Sequence, residues 1–138
     1  MLSSRELRQV LDEVMRSIDE DPDAARRLSG VPAPLRFEFT DLRLAFNIAP
    51  GRGGHVDWDF AQRAGRRARV RLAMDSEVAN RFLQGRENAA IAIARGRLRA
   101  SAADPDAVLR VFPAVRPLLA RYREVVASRY PHLAVDAG

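Results

Sequence analysis

Between Arg36 and Met74 the chain stops spacing its apolar residues by three and four and alternates them with polar ones. Successive side chains of an extended strand point to opposite faces, so alternation commits the segment to strands with one buried face. Phe37 and Phe39 are apolar at odd positions, whereas Leu42, Leu44, Phe46 and Ile48 are apolar at even ones. A bulge or bend near Thr40 and Asp41 would absorb that switch. PGRGG at 50–54 reads as a turn. HVDWDF then places Val56, Trp58 and Phe60 on one side, and after a polar loop ARVRLAM places Val70, Leu72 and Met74 on one side with Arg69 and Arg71 on the other.

A common register can be tested, because antiparallel neighbours keep facing residues on the same side. Setting Ala49 opposite His55 pairs Ile48 with Val56, Phe46 with Trp58 and Leu44 with Phe60. Setting Trp58 opposite Val70 pairs Val56 with Leu72. This predicts a three-stranded meander with one continuous apolar face, and such a face needs a cover. On the other face Asp57 would oppose Arg71 and Asp59 would oppose Arg69, pairs worth about 0.2–1 kcal/mol each.

The cover is written as helices on either side of the strands. Leu7, Val10, Leu11, Val14 and Ile18 form one face of a helix over 4–19, opened by Ser3 with Glu6 three residues on. Asp21–Pro22 opens a second helix that ends before Gly30, and the prolines of VPAPL stop helical structure there. Asp75 or Ser76 caps a helix carrying Val78, Phe82 and Leu83 and ending at Gly85. AAIAIA follows; Ala89 and Ile93 are four apart as in a helix, Ile91 and Ile93 two apart as in a strand. Alanine content and the bracketing Gly85 and Gly96 favour a short helix. GRLRAS gives a last strand with Leu98 and Ala100 inward. Asp104–Pro105 opens a helix to about Phe112, and a long final helix carries Val115, Leu118, Leu119, Tyr122, Val125 and Val126. The whole reads as one domain, with N-terminal helices at 4–29, the meander at 36–74, cover and last strand at 75–130 and a tail at 131–138.

Charge raises the question of nucleic acid, since the net charge is +5 and phosphate neutralisation releases counterions. All 23 basic residues are arginine, which with the many alanines reflects a GC-rich, bacterial-looking coding sequence. No aromatic platform is interleaved with them, so a solvated face is favoured over a specific nucleic-acid surface. No stretch is long and apolar enough to span a bilayer, and the acidic, helical start is unlike a signal peptide, which gives a cytoplasmic location by default.

Catalytic constellations are lacking. There are no cysteines and two histidines. His55, Asp57 and Asp59 share a strand face that suits a metal less well than it suits a polar exterior. The serines lie at caps and loops, and GRGG joins two strands instead of opening a helix, so it makes no phosphate loop. No cofactor is expected. Binding of an apolar ligand and pure structural packing both remain open.

The order of these elements resembles the sterol carrier protein type-two family: helix, strands with a central tryptophan, a strand ending in MD, a helix ending in FLQG, a short apolar helix, GRLR, closing helices. The family's signature, a small-residue apolar segment running into glycine, a basic, a hydrophobic and a basic residue, is supplied by AAIAIARGRLR at Ala89–Arg99. The likeness covers about residues 36–130 and departs at SAAD, where the family often has glycine followed by asparagine or aspartate. It implies an α+β fold, a curved and mainly antiparallel sheet of four to five strands covered on one face by helices and enclosing an apolar tunnel. It also implies non-enzymatic binding or transfer of a fatty-acyl or sterol-like lipid, without catalytic residues; no metal is expected, and an arginine-driven, transient contact with a membrane stays open as a weaker option. The expected lining is Leu44, Phe46, Ile48, Val56, Trp58, Phe60, Val70, Leu72, Phe82, Ala89, Ile93, Leu98, Phe112, Leu118, Leu119 and Tyr122. Small side chains at Ala89, Ala90, Ala92 and Ala94 would leave room beside Phe46, Trp58 and Phe82. The alternative on the same fold is a closed core in an accessory domain that binds a protein partner.

Overall fold

The structure, a computed structural model, describes residues 2–62 and 68–135. It begins with α1 (Ser4–Asp19) and α2 (Pro22–Leu28), followed by β1 (Leu35–Phe39), β2 (Leu44–Pro50), a 3-10 turn at Arg52–Gly54, β3 (Val56–Asp59) and β4 (Val70–Met74). Then come α3 (Ser76–Leu83), α4 (Ala89–Ala94), β5 (Leu98–Ala102), α5 (Pro105–Ala114), α6 (Arg116–Arg129) and a 3-10 turn at Pro131–Leu133. The polar loop after Phe60 and the end of the tail fall partly on 63–67 and 136–138, outside the described residues.

Helix ends follow local chemistry. Ser3 Oγ accepts the Glu6 N–H at 3.1 Å, Asp21 accepts from Ala24, Asp75 from Val78 and Asn88 from Ile91. Each satisfies an N–H that has no partner inside its helix. Gly85 and Gly96 take φ of +74° and +73°, and the next residues return N–H bonds to Arg81 and Ala92 at 2.8 Å, so each glycine ends a helix with an αL turn.

The five strands form one mixed sheet in the order β3-β2-β1-β4-β5, with β1 and β4 parallel and the other neighbours antiparallel. This corrects the expected meander. The parity switch at Thr40–Arg43 is a full chain reversal and no bulge: β1 and β2 pair with Phe37 opposite Phe46, and Arg43 takes φ +50° in the turn. Facing residues in this hairpin have opposite parity, so apolar side chains must change from odd to even positions to remain on one face. β2 and β3 do pair, two residues away from the expected register: Ile48 faces Trp58 and Pro50 faces Val56. The loop between them is closed by Gly51 N–H to the His55 carbonyl at 2.8 Å, and a slip of two preserves the face.

β4 lies beside β1, with Phe37 opposite Leu72 and Phe39 opposite Met74, because β1 brings its own apolar row and an open edge. Two strands, β2 and β1, therefore separate β3 from β4, and the expected Asp57–Arg71 and Asp59–Arg69 pairs do not form. Arg71 instead meets Glu38 at 2.8 Å and Arg69 meets Asp104 at 3.7 Å. Asp59 accepts from Asn47 Nδ2 at 2.8 Å and from the Ala61 N–H at 3.0 Å.

On the uncovered face sits a nearly enclosed charge. Arg36 is 7% exposed and donates to Asn47 Oδ1 and the Ala61 carbonyl, both at 3.1 Å, to the Gln62 carbonyl and to Glu38 at 3.3 Å. It ties the chain leaving β3 back over the sheet. The opposite face carries one contiguous core running from Leu7 on α1 to Leu133 in the tail. α1 and α6 pack together as its cover, α3 lies against α6, and α5 lies over β5 and β4.

Candidate functional site

The covered face is lined, strand by strand, by Val56 and Trp58; Leu44, Phe46 and Ile48; Leu35, Phe37 and Phe39; Val70, Leu72 and Met74; and Leu98 and Ala100. Period-two alternation places all of them on one side. Phe37 and Phe46 rings lie 5.7 Å apart and Phe46 stacks on Phe60 at 5.5 Å, with the Arg8 guanidinium 5.0 Å over Phe60. Trp58 donates its indole N–H to Asp12 at 3.0 Å, fastening α1 to the edge strand.

Of the expected lining residues, Leu44, Phe46, Ile48, Val56, Val70, Leu72, Phe82, Leu98, Leu118 and Tyr122 are brought together in the interior, none more than 6% exposed. Phe46, Val70, Leu72, Leu118 and Tyr122 have no accessible surface at all. These five side chains are closed off from solvent. Trp58, Phe60, Ala89, Phe112 and Leu119 are half-buried against the core, and Phe112 meets Phe82 edge to face at 6.2 Å. Ile93 is not brought in: it is 39% exposed and, with Ile91 at 47%, lies on an exposed flank of α4.

Sequence reasoning missed a polar network inside this apolar assembly. The Tyr122 hydroxyl donates to Asn80 Oδ1 at 2.9 Å, as does Gln84 Nε2 at 2.9 Å. Asn80 Nδ2 and Gln84 Nε2 both donate to the Leu133 carbonyl, at 2.9 and 2.8 Å, and Gln84 Oε1 accepts the Val135 N–H at 3.0 Å. The two amides strap the tail across α3. Burial, and secondarily the charge of Glu6, pushes the Tyr122 phenol well above its ordinary value, so it remains a hydrogen-bond donor. The available signal was the four-residue spacing of the two amides, Asn80 and Gln84.

Beside this strap a solvent-open groove of about 750 Å³ runs between α3 and the tail, lined by Leu2, Asp41, Ser76, Asn80, Arg81 and Leu133 among others. Three carboxylates line it, Asp41, Asp75 and Glu77: Asp41 accepts the Ser76 N–H at 2.8 Å and its hydroxyl at 2.6 Å, holding the β1–β2 turn to α3, Asp75 caps α3 through the Val78 N–H, and Glu77 meets Arg81 at 3.0 Å. None of the expected lining residues borders it.

Solved structures share this arrangement. A crystal structure of sterol carrier protein 2 superposes with a TM-score of 0.61 at 17% identity, covering 84% of this chain and 95% of its own. A Thermus thermophilus protein described as possibly a sterol carrier protein gives 0.60 at 16% identity, covering 94% and 91%. The chain has the sterol carrier protein fold. The UbiJ-SCP2 ubiquinone synthesis protein shares it at 0.55 and 15% identity, over 91% and 93%. The sec-alkylsulfatase Pisa1 from Pseudomonas contains a region of the same fold, at 0.51 and 18% identity; the match covers 68% of this chain and 14% of that enzyme. No family model and no curated protein sequence matches the chain. Among the described residues no helix is long and apolar enough to cross a membrane.

Proposed function

We propose that the chain binds or carries a lipid, or another hydrophobic small molecule with a fatty-acyl or sterol-like body, between the sheet and its helical cover. It does so without catalytic residues of its own, in an aqueous compartment such as the cytoplasm. The carrying observation is a sterol carrier fold whose covered face is a continuous aliphatic and aromatic surface from Val56 to Leu98. Burying a hydrocarbon there contributes about 0.8 kcal/mol per methylene. Access is proposed at the half-buried Ala89, Phe112 and Leu119 on α4, α5 and α6. Native mass spectrometry after gentle purification, followed by titration with a fluorescent fatty acid, tests this. A co-purifying lipid or saturable uptake is expected; an empty chain that takes up nothing sinks the reading.

A second reading is favoured by the zero exposure of Phe46, Leu72 and Tyr122. A closed core suits an accessory domain that works by binding a protein, and one chain of this fold is described as a ubiquinone synthesis protein. The same empty result would leave this reading standing.

A further inference from the structure

α4 is a six-residue helix, AAIAIA, without a polar side chain, yet only Ala92 is buried. At about 100° per residue, Ala92 faces inward, Ile91 and Ile93 lie on the two flanks, and Ala90 and Ala94 point away from the core. Among the described residues the exposed large hydrophobics are Ile91, Ile93 and Leu109, so two of the three sit on this single turn and a half.

The surroundings are cationic. From Gly85 to Ala103 the chain carries Arg86, Arg95, Arg97 and Arg99 against a single acid, Glu87. That carboxylate is enclosed, its side chain 7% exposed, between Arg97 at 2.7 Å and Arg81 at 3.1 Å. Arg86 and Arg95 stand at the two ends of α4 and are both exposed. Small aliphatic side chains ringed by arginine match an interface between hydrocarbon and phosphate. They match a base-stacking surface poorly, because no aromatic ring is present.

We propose that α4 docks the protein on an anionic lipid surface, its isoleucines entering the acyl boundary while Arg86 and Arg95 meet headgroup phosphates. The contact goes beyond the interior-ligand reading and does not depend on it, since an empty chain presents the same helix.

Co-sedimentation with vesicles of phosphatidylcholine and phosphatidylglycerol in equal parts tests this, with pure phosphatidylcholine as control. Binding to the mixed vesicles is expected, weakened about tenfold or more on pure phosphatidylcholine. Ile91→Asn with Ile93→Asn lowers binding about tenfold while thermal unfolding is unchanged, because both side chains are exposed. Arg86→Gln with Arg95→Gln weakens it and flattens its salt dependence. As a second readout, Ile91→Trp gains a blue-shifted emission component on adding mixed vesicles. The proposal is overturned by no binding to mixed vesicles at low salt, or by isoleucine variants that bind as well as the parent chain. An isoleucine-dependent self-association without vesicles overturns it too, in favour of a protein contact.

Discussion

Arg36 looks in the sequence like one more solvated arginine on the polar side of a strand, and alternation correctly places it on that side. What alternation does not report is that the chain leaving β3 returns over it and supplies two carbonyls. A guanidinium with five donors can hold several acceptors at once, so the side chain becomes a clasp. Arg36→Ala is expected to cost about 2–3 kcal/mol in urea denaturation, since charge-assisted bonds are lost and acceptors are left without a partner. A cost within experimental error would show that water replaces the clasp. Asn80, Gln84 and Tyr122 were hidden for a similar reason: their partners lie in the tail, remote in sequence, and no spacing rule links them to it.

At the level of elements, the boundaries that carry side-chain chemistry were legible. Ser3, Asp21, Asp75 and Asn88 cap as their residue types require, and Gly85 and Gly96 stop helices where only a positive φ allows it. A Cβ on Gly96 would meet nothing within 4 Å, so Gly96→Ala isolates the conformational cost. Urea denaturation should give about 1–2 kcal/mol of destabilisation, and a value near zero would mean that the αL turn relaxes. The facing of α4 was not legible. A helix built only of alanine and isoleucine has no polar side to mark the outside, so the expectation that AAIAIA lines the interior had nothing to oppose it. Likewise the parity switch at Thr40–Arg43 suits a bulge and a hairpin equally until the neighbouring strand is known.

For the whole molecule, alternation told which face each strand buries and left open which strand lies beside which. Leu44 to Leu72 reached the predicted face although β4 sits next to β1 instead of β3, because face is a local property and strand order depends on the entire topology. The fold presents one continuous hydrocarbon surface beneath helices that are tied together, α6 to α1 through Arg121 and Ser17, and to the sheet through Trp58 and Asp12. Leu72, Leu98 and Leu118 are buried beneath the cover, whereas Phe112, Leu119 and Ala89 are partly buried at its margin, so on the proposed reading a ligand displaces the cover to enter. The most direct test is methyl NMR of the leucine and isoleucine side chains during titration with oleate. Binding in the interior predicts shifts at Leu72, Leu98 and Leu118 that saturate, with Ile91 and Ile93 little changed. Leaving those three leucines unmoved while oleate is in excess would contradict it.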